Sequence, residues 1–295
     1  MKSTALARLH FIVFLWGFTA VLGKMISAEA HTLVFYRMLL AAIFLFVFIR
    51  FFKKQSIAVS KKIFLKLLVI GAFMGFHWLF FFQSIKMSNV SIALSCLSLS
   101  TLFASILEPF IFKRKIDVSE VVMGIVIMAC MYLIFQTELQ YKEGIIYGII
   151  AALLGTIFSV FNGKIYGKTS SGNIIFYEIF CGWAILSVYY LFSGQFFSLN
   201  EISYGDLALV TLLASLFTAY PMLESINLMK YITPFTLILT VNLEPIYGII
   251  LAYFIFGDSE HMSPIFYVAS LVMILSIVVN GILKSRKEAK KLQLK

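Results

Sequence analysis

Six ionisable residues stand inside stretches too apolar to carry charge cheaply: Arg37, His77, Glu108, Glu178, Glu224 and Glu244. An ionisable side chain at bilayer depth costs roughly 2.5–3.5 kcal/mol on insertion scales, so it faces protein or water and is a functional candidate by default. The chemistry open to such a set is recognition and proton exchange. Carboxylates hold amines and hydroxyls, and an imidazole or a guanidinium holds acceptors. Glu244 is the foremost candidate. Pro245 has no amide proton, so the carbonyl of Val241 loses its helical partner, and Asn242 adds an amide to the same neighbourhood. A broken ladder beside a carboxylate offers donors and acceptors at mid-membrane, where alternating-access carriers bind their cargo. A carboxylate there is also a group that exchanges protons, so proton coupling is an expectation. The plainer reading is a packing kink with Glu244 capped by a neighbouring helix.

His77-Trp78 comes next: an imidazole beside an indole can hydrogen-bond and stack on a ligand, or be satisfied by a backbone or carboxylate partner. Glu108-Pro109 precedes Lys113, Arg114 and Lys115 by about a turn, which favours an inner gate or structural ion pair over substrate contact. Glu224, three residues after Pro221 and near Lys230, reads the same way. Pro109, Pro221 and Pro245 are each expected to break a helix.

These residues need a membrane scaffold to position them. The chain has 295 residues, 61% of them hydrophobic and 13% charged, with a mean hydropathy of +0.96. Apolar runs of roughly 20 residues recur along it, which indicates a polytopic helical membrane protein and excludes a soluble domain or an alternating barrel. Ten spans are expected: Leu9–Ile26, Thr32–Phe52, Phe64–Ile85, Val90–Phe112, Val118–Gln136, Gly144–Ile165, Asn173–Ser193, Leu207–Met229, Pro234–Phe256 and Pro264–Leu283. Ala28-Glu29-Ala30 resembles a signal-peptidase site, but the preceding apolar run exceeds the usual ~7–15 residues, so the first span is expected to be retained.

With both termini inside, cytoplasmic segments hold nineteen Lys and Arg against three outside (Lys24, Lys86 and Lys142). The positive-inside rule then sets the orientation, and the net charge of +10 reflects basic loops rather than nucleic-acid binding. Cys96, Cys130 and Cys181 have no metal-ligand spacing. No phosphate-binding loop and no metalloprotease run is present, so neither cofactor nor metal is expected.

The chain repeats itself. Shifted by 144 positions, Lys86 falls on Lys230, Leu99 on Leu243 and Phe110-Ile111-Phe112 on Phe254-Ile255-Phe256. The first copy runs into Lys113-Arg114-Lys115, the second into Gly257-Asp258-Ser259-Glu260, so equivalent ends carry opposite charge. Gly23-Lys24 aligns with Gly163-Lys164, Phe35-Tyr36-Arg37 with Phe176-Tyr177-Glu178, and Gly71-x-x-x-Gly75 with Ser215-x-x-x-Ala219. Five spans per copy is an odd number, so the second copy is inverted. The units are residues 1–139, residues 140–284 and a basic cytoplasmic tail, 285–295. Arg37 and Glu178 occupy matching positions on opposite sides, so each is expected to anchor its own half.

Two five-helix halves, with Phe35-Tyr36-Arg37-Met38-Leu39-Leu40 in span two and Leu243-Glu244-Pro245 in span nine, resemble the EamA family of the drug/metabolite transporter superfamily. The resemblance implies a cavity lined by spans one, three, four, six, eight and nine, to which Trp16, Asn162, Tyr220 and Tyr247 could contribute, and a structural or gating role for Arg37. It further implies a secondary carrier, not an enzyme, in a bacterial inner membrane. The expected cargo is a small metabolite such as an amino acid, moved outward. A sugar-phosphate or nucleotide-sugar exchanger is the alternative within the class. A membrane enzyme or scaffold is the alternative outside it, disfavoured by the short loops and the broken central helix.

Overall fold

The computed structural model describes residues 2–113, 115–194, 202–228, 230–232, 240–241 and 243–293. Asn242 lies outside them. The backbone is helical because a chain in lipid must satisfy its own amides and carbonyls. Span one is Lys2–Met25, span two Ala30–Val47 with a π-turn at Phe48–Phe52, and span three Lys61–Met87. Span four is two helices, Val90–Leu97 and Leu99–Phe112; span five is Val118–Thr137, span six Lys142–Ile165 and span seven Ser171–Phe192. Span eight joins Tyr204–Ala214 to Tyr220–Leu228 through a π-turn at Ser215–Ala219, and span ten is Pro264–Gln293. Nine of these are long and apolar enough to cross a bilayer among the described residues. Span nine contributes the helix Glu244–Phe256, and residues 234–239 and 242 of its expected range lie outside the description. The expected basic tail continues the last helix as far as Gln293.

Side-chain caps set the helix starts. Ser60, Asn89, Asp117, Ser170 and Ser203 each accept a hydrogen bond from an amide two or three residues onward, opening spans three, four, five, seven and eight.

The packing obeys an exchange of halves. Spans two and seven, four and nine, and five and ten each pack on their own equivalent. Span three packs on six and seven as span eight packs on one and two, and span one packs on nine as six packs on four. Inverted repeats impose this reciprocity.

The breaks obey it too. In span four the ladder tightens at Ser98, whose amide donates to Ser95 O at 3.1 Å; in span nine Leu243 donates to Thr240 O at 3.0 Å. Leu99, the first residue past Ser98, is Leu243's equivalent at the 144 offset. Span nine then restarts at Glu244 with Pro245 in its first turn, where a missing amide costs nothing. Span four breaks with no proline, in the run Ser95-Cys96-Leu97-Ser98-Leu99-Ser100.

Two proline expectations change. Pro109 is buried inside the continuous helix Leu99–Phe112 and breaks nothing. That helix ends four residues later at Lys113, which adopts a left-handed φ of 53°, so only one ladder bond of a last turn is lost. Pro221 follows the π-turn rather than making a kink: the Tyr220 amide donates to Ser215 O, five residues back, and the slip is complete before the proline begins.

Candidate substrate-binding site

The site is built where the two halves meet around Arg37. Span two carries this arginine inward until it is only 3% exposed. Its Nε donates to Thr218 Oγ1 of span eight at 3.0 Å. Thr218 in turn donates to Leu213 O at 2.7 Å, five residues back, a reach that the π-turn opens. The guanidinium carbon lies 4.0 Å from the centre of the Trp78 ring and 5.2 Å from that of Phe82, both on span three. Such stacking contributes about 2 kcal/mol when desolvated. Arg37 Nη1 is buried and has no hydrogen-bond partner. The expectation that Arg37 anchors only its own half therefore changes: it stacks on the first repeat and bonds to the second.

Glu244, half-buried at the start of the span-nine helix, lies in the electrostatic field of Arg37 and acts back on it. His77 lies in the same field. Its Nδ1 donates to Ala151 O of span six at 2.7 Å, which fixes the orientation of the ring and turns Nε2 away from that carbonyl. The ring faces Phe81 and Phe158 at 6.2 and 5.6 Å.

The remaining expected lining residues divide. Trp16 and Tyr247, both half-buried, share the apolar contact between spans one and nine. There Gly17 lies so close that a Cβ on it would sit 2.8 Å from Tyr247 Cβ. Asn162 turns instead to Glu178, and Tyr220 is 43% exposed.

One expected ion pair changes its partner. Glu224 pairs with Arg8 of span one rather than with Lys230, because the helix Tyr220–Leu228 lies against span one. Glu178, fully buried, accepts from Asn162 Nδ2 at 3.1 Å and pairs with no basic side chain among the described residues. Glu108 is half-buried beside the end of its helix.

Glu260 escaped the sequence reading. Lys24 Nζ donates to its Oε1 at 2.8 Å, as does the Val90 amide at 2.9 Å, and Ser91 N and Oγ donate to Oε2 at 2.9 and 2.7 Å. A loop carboxylate of the second repeat thus caps the first helix of span four. Nearby, Asp206 accepts from Ser27 N and Oγ at 2.8 and 2.6 Å, and Lys86 donates to Ile26 O. The contacts of Glu260 and Asp206 tie the halves at the end of the bundle opposite the N-terminus, and that of Lys86 ties spans one and three of the first half. The sequence clue to Glu260 was its place in the acidic segment that replaces a basic one under the repeat. An apolar hollow of about 320 Å³ between Ile249, Tyr253, Phe254, His261 and Tyr267 includes none of the charged residues around Arg37.

The described residues hold nine helices long and apolar enough to cross a bilayer, the build of a multi-pass membrane protein, with side chains of both halves meeting at Arg37. Residues 7–136 match the EamA-like transporter family. The chain is 26% identical over 258 residues to the "Uncharacterized transporter YxxF" of Bacillus subtilis (strain 168), covering 85% of this chain and 81% of that one. A solved protein crystal structure shares its fold with a TM-score of 0.67 at 13% identity, covering 97% of this chain and 99% of the other.

Proposed function

We propose that the protein is a secondary carrier that moves a small zwitterionic or amphipathic metabolite of the amino-acid kind outward by alternating access. One observation carries the reading: a buried guanidinium, held between the halves by Thr218, keeps an unpartnered Nη1. A cargo carboxylate would supply the missing partner of Nη1, its amine would face Glu244, and its apolar side would lie on Trp78. A phosphorylated cargo suits Arg37, but Glu244 repels it, so an exchanger of sugar phosphates is the weaker reading. Both termini lie in the cytoplasm by the charge balance of the loops, in a bacterial inner membrane, and the contacts of Glu260 and Asp206 form the outer gate. A proton gradient drives the cycle.

Uptake of radiolabelled amino acids into vesicles reconstituted with the full chain tests this. Wild type should accumulate at least one amino acid in response to an imposed pH gradient, and Glu244→Gln should lose the activity at least tenfold. Equal transport by wild type and Glu244→Gln would remove Glu244 from the site; indifference to the gradient would end the coupling.

A further inference from the structure

Glu178 has no part in the site just described, yet it is fully buried on span seven, about 10 Å along the helix from its Ser171 start. Its Oε1 and the Oδ1 of Asn162 are both buried without a hydrogen-bond partner. Each of these two touching side chains thus keeps one buried acceptor that no donor among the described residues satisfies. We propose that Glu178 is a proton-binding site of the carrier. Its carboxyl holds a proton while the seam between spans three and seven is closed and releases it to water when the seam parts.

Three features carry this. First, a proton on Oε1 turns one of the two orphaned acceptors into a donor and removes the charge that has no partner. Second, no counter-charge is paired with it among the described residues. Arg37 on span two is turned to Thr218 and Trp78, and Glu224 on span eight is paired with Arg8. Lys66 on span three is exposed, His77 donates to Ala151 O, and Lys164 on span six lies 5.9 Å over the Phe112 ring. Cys181, less than one turn along span seven, is an uncharged thiol. An ionised carboxylate buried without a partner is costly enough that such groups are found neutral.

Third, spans three and seven are in close backbone contact beside Glu178, and the ligands for a metal cation are missing among the described residues. A Cβ on Gly71 would sit 2.5 Å from Glu178 O, and one on Gly182 would sit 2.5 Å from Gly71 O. A metal cation needs about six oxygen ligands at bonding distance, and here one carboxylate and one amide oxygen are at hand. Because spans three and seven belong to different halves, relative movement of the halves that parts them admits water to Glu178. The balance is simple: the acid loses one proton to water on opening and takes one back before closing.

The link to transport rests on the carrier reading; the bound proton does not, and infrared spectroscopy on the full chain in lipid vesicles separates the two. At neutral pH wild type should show the carbonyl stretch of a protonated carboxylic acid. It should vanish in Glu178→Gln, an isosteric change that preserves the Asn162 contact, and persist in Glu244→Gln. Transfer of wild type into heavy water should shift the band as the seam opens. A band that survives in Glu178→Gln, or that is absent from wild type, overturns the assignment. A band that never shifts marks a locked structural acid and overturns the release. Normal band behaviour in vesicles that accumulate no amino acid would instead refute the carrier reading alone.

Discussion

Spans three and seven meet along one seam, and spans eight and two meet along its mate under the exchange of halves, yet the two are built from opposite materials. In the first, Gly71 and Gly182 bring backbones so close that no side chain fits between them. In the second, the residue equivalent to Gly71 is Ser215, the residue equivalent to Glu178 is Arg37, and a π-turn displaces the helix to admit a guanidinium. Small residues let helices pack by van der Waals contact, the usual solution in lipid. A buried arginine instead demands acceptors, and Thr218 meets that demand only for Nε. One ancestral interface has therefore become a close-packed seam that isolates an acid and a polar seam that leaves a cation partly unsatisfied.

The sharpest way to break this comparison is to put the same side chain into both seams. Gly71→Ala forces a methyl group against backbone oxygen, which cannot rotate away, and should cost about 2–3 kcal/mol. Ser215→Ala, at the equivalent position, removes a hydroxyl that donates to Thr211 O within its own helix and should stay within about 0.5 kcal/mol. Thermal unfolding of the detergent-solubilised protein reads both. Equal losses would mean that the two seams are packed alike.

Next in size is Thr218→Val, which keeps the shape and leaves Arg37 Nε without an acceptor, at a cost of about 1–2 kcal/mol. Its equivalent in the first seam is Met74, fully buried among apolar neighbours, where Met74→Leu should cost less than about 1 kcal/mol. Thr218→Ser should restore wild-type stability, because the hydroxyl and not the methyl group holds Arg37. Failure of serine to rescue would shift the weight of this contact to packing.

The large features were legible in the sequence because lipid enforces them. Apolar length dictates spans, and the reversal of charge between Lys113-Arg114-Lys115 and Gly257-Asp258-Ser259-Glu260 dictates inversion. The break in span nine was legible through Pro245. Its equivalent at Ser98 was not, since a serine-rich run accepts either a helix or a tightened turn and only the neighbours decide. Pro109 misled for the complementary reason: in a last turn the missing amide matters little. Least visible was the partnership of Arg37 with Thr218. A threonine in an apolar helix carries no mark of the arginine it will meet from another repeat, and the repeat alignment only ruled out Glu178. Opposite charges at symmetry-equivalent positions suggest a pair only if symmetry brings them together, and an axis in the membrane plane keeps them in separate seams.

The smallest expected effect concerns what holds the π-turn in place. Pro221 cannot donate to the Phe217 carbonyl, so the proline could by itself keep the ladder slipped; alternatively the Arg37–Thr218–Leu213 chain of hydrogen bonds pins it. Pro221→Ala returns the amide. If the proline sets the turn, the helix closes to an ordinary α-helical ladder, Thr218 rotates off Arg37, and cargo affinity falls although stability changes by less than about 1 kcal/mol. If the hydrogen bonds set it, the variant binds cargo as wild type does and only Pro221→Ala combined with Thr218→Val relaxes the turn. The second outcome is expected, because the Tyr220 amide already reaches Ser215 O before the proline begins. A buried cation that needs an acceptor is a stronger constraint on this helix than one absent amide, whose orphaned carbonyl retains other ways to be satisfied.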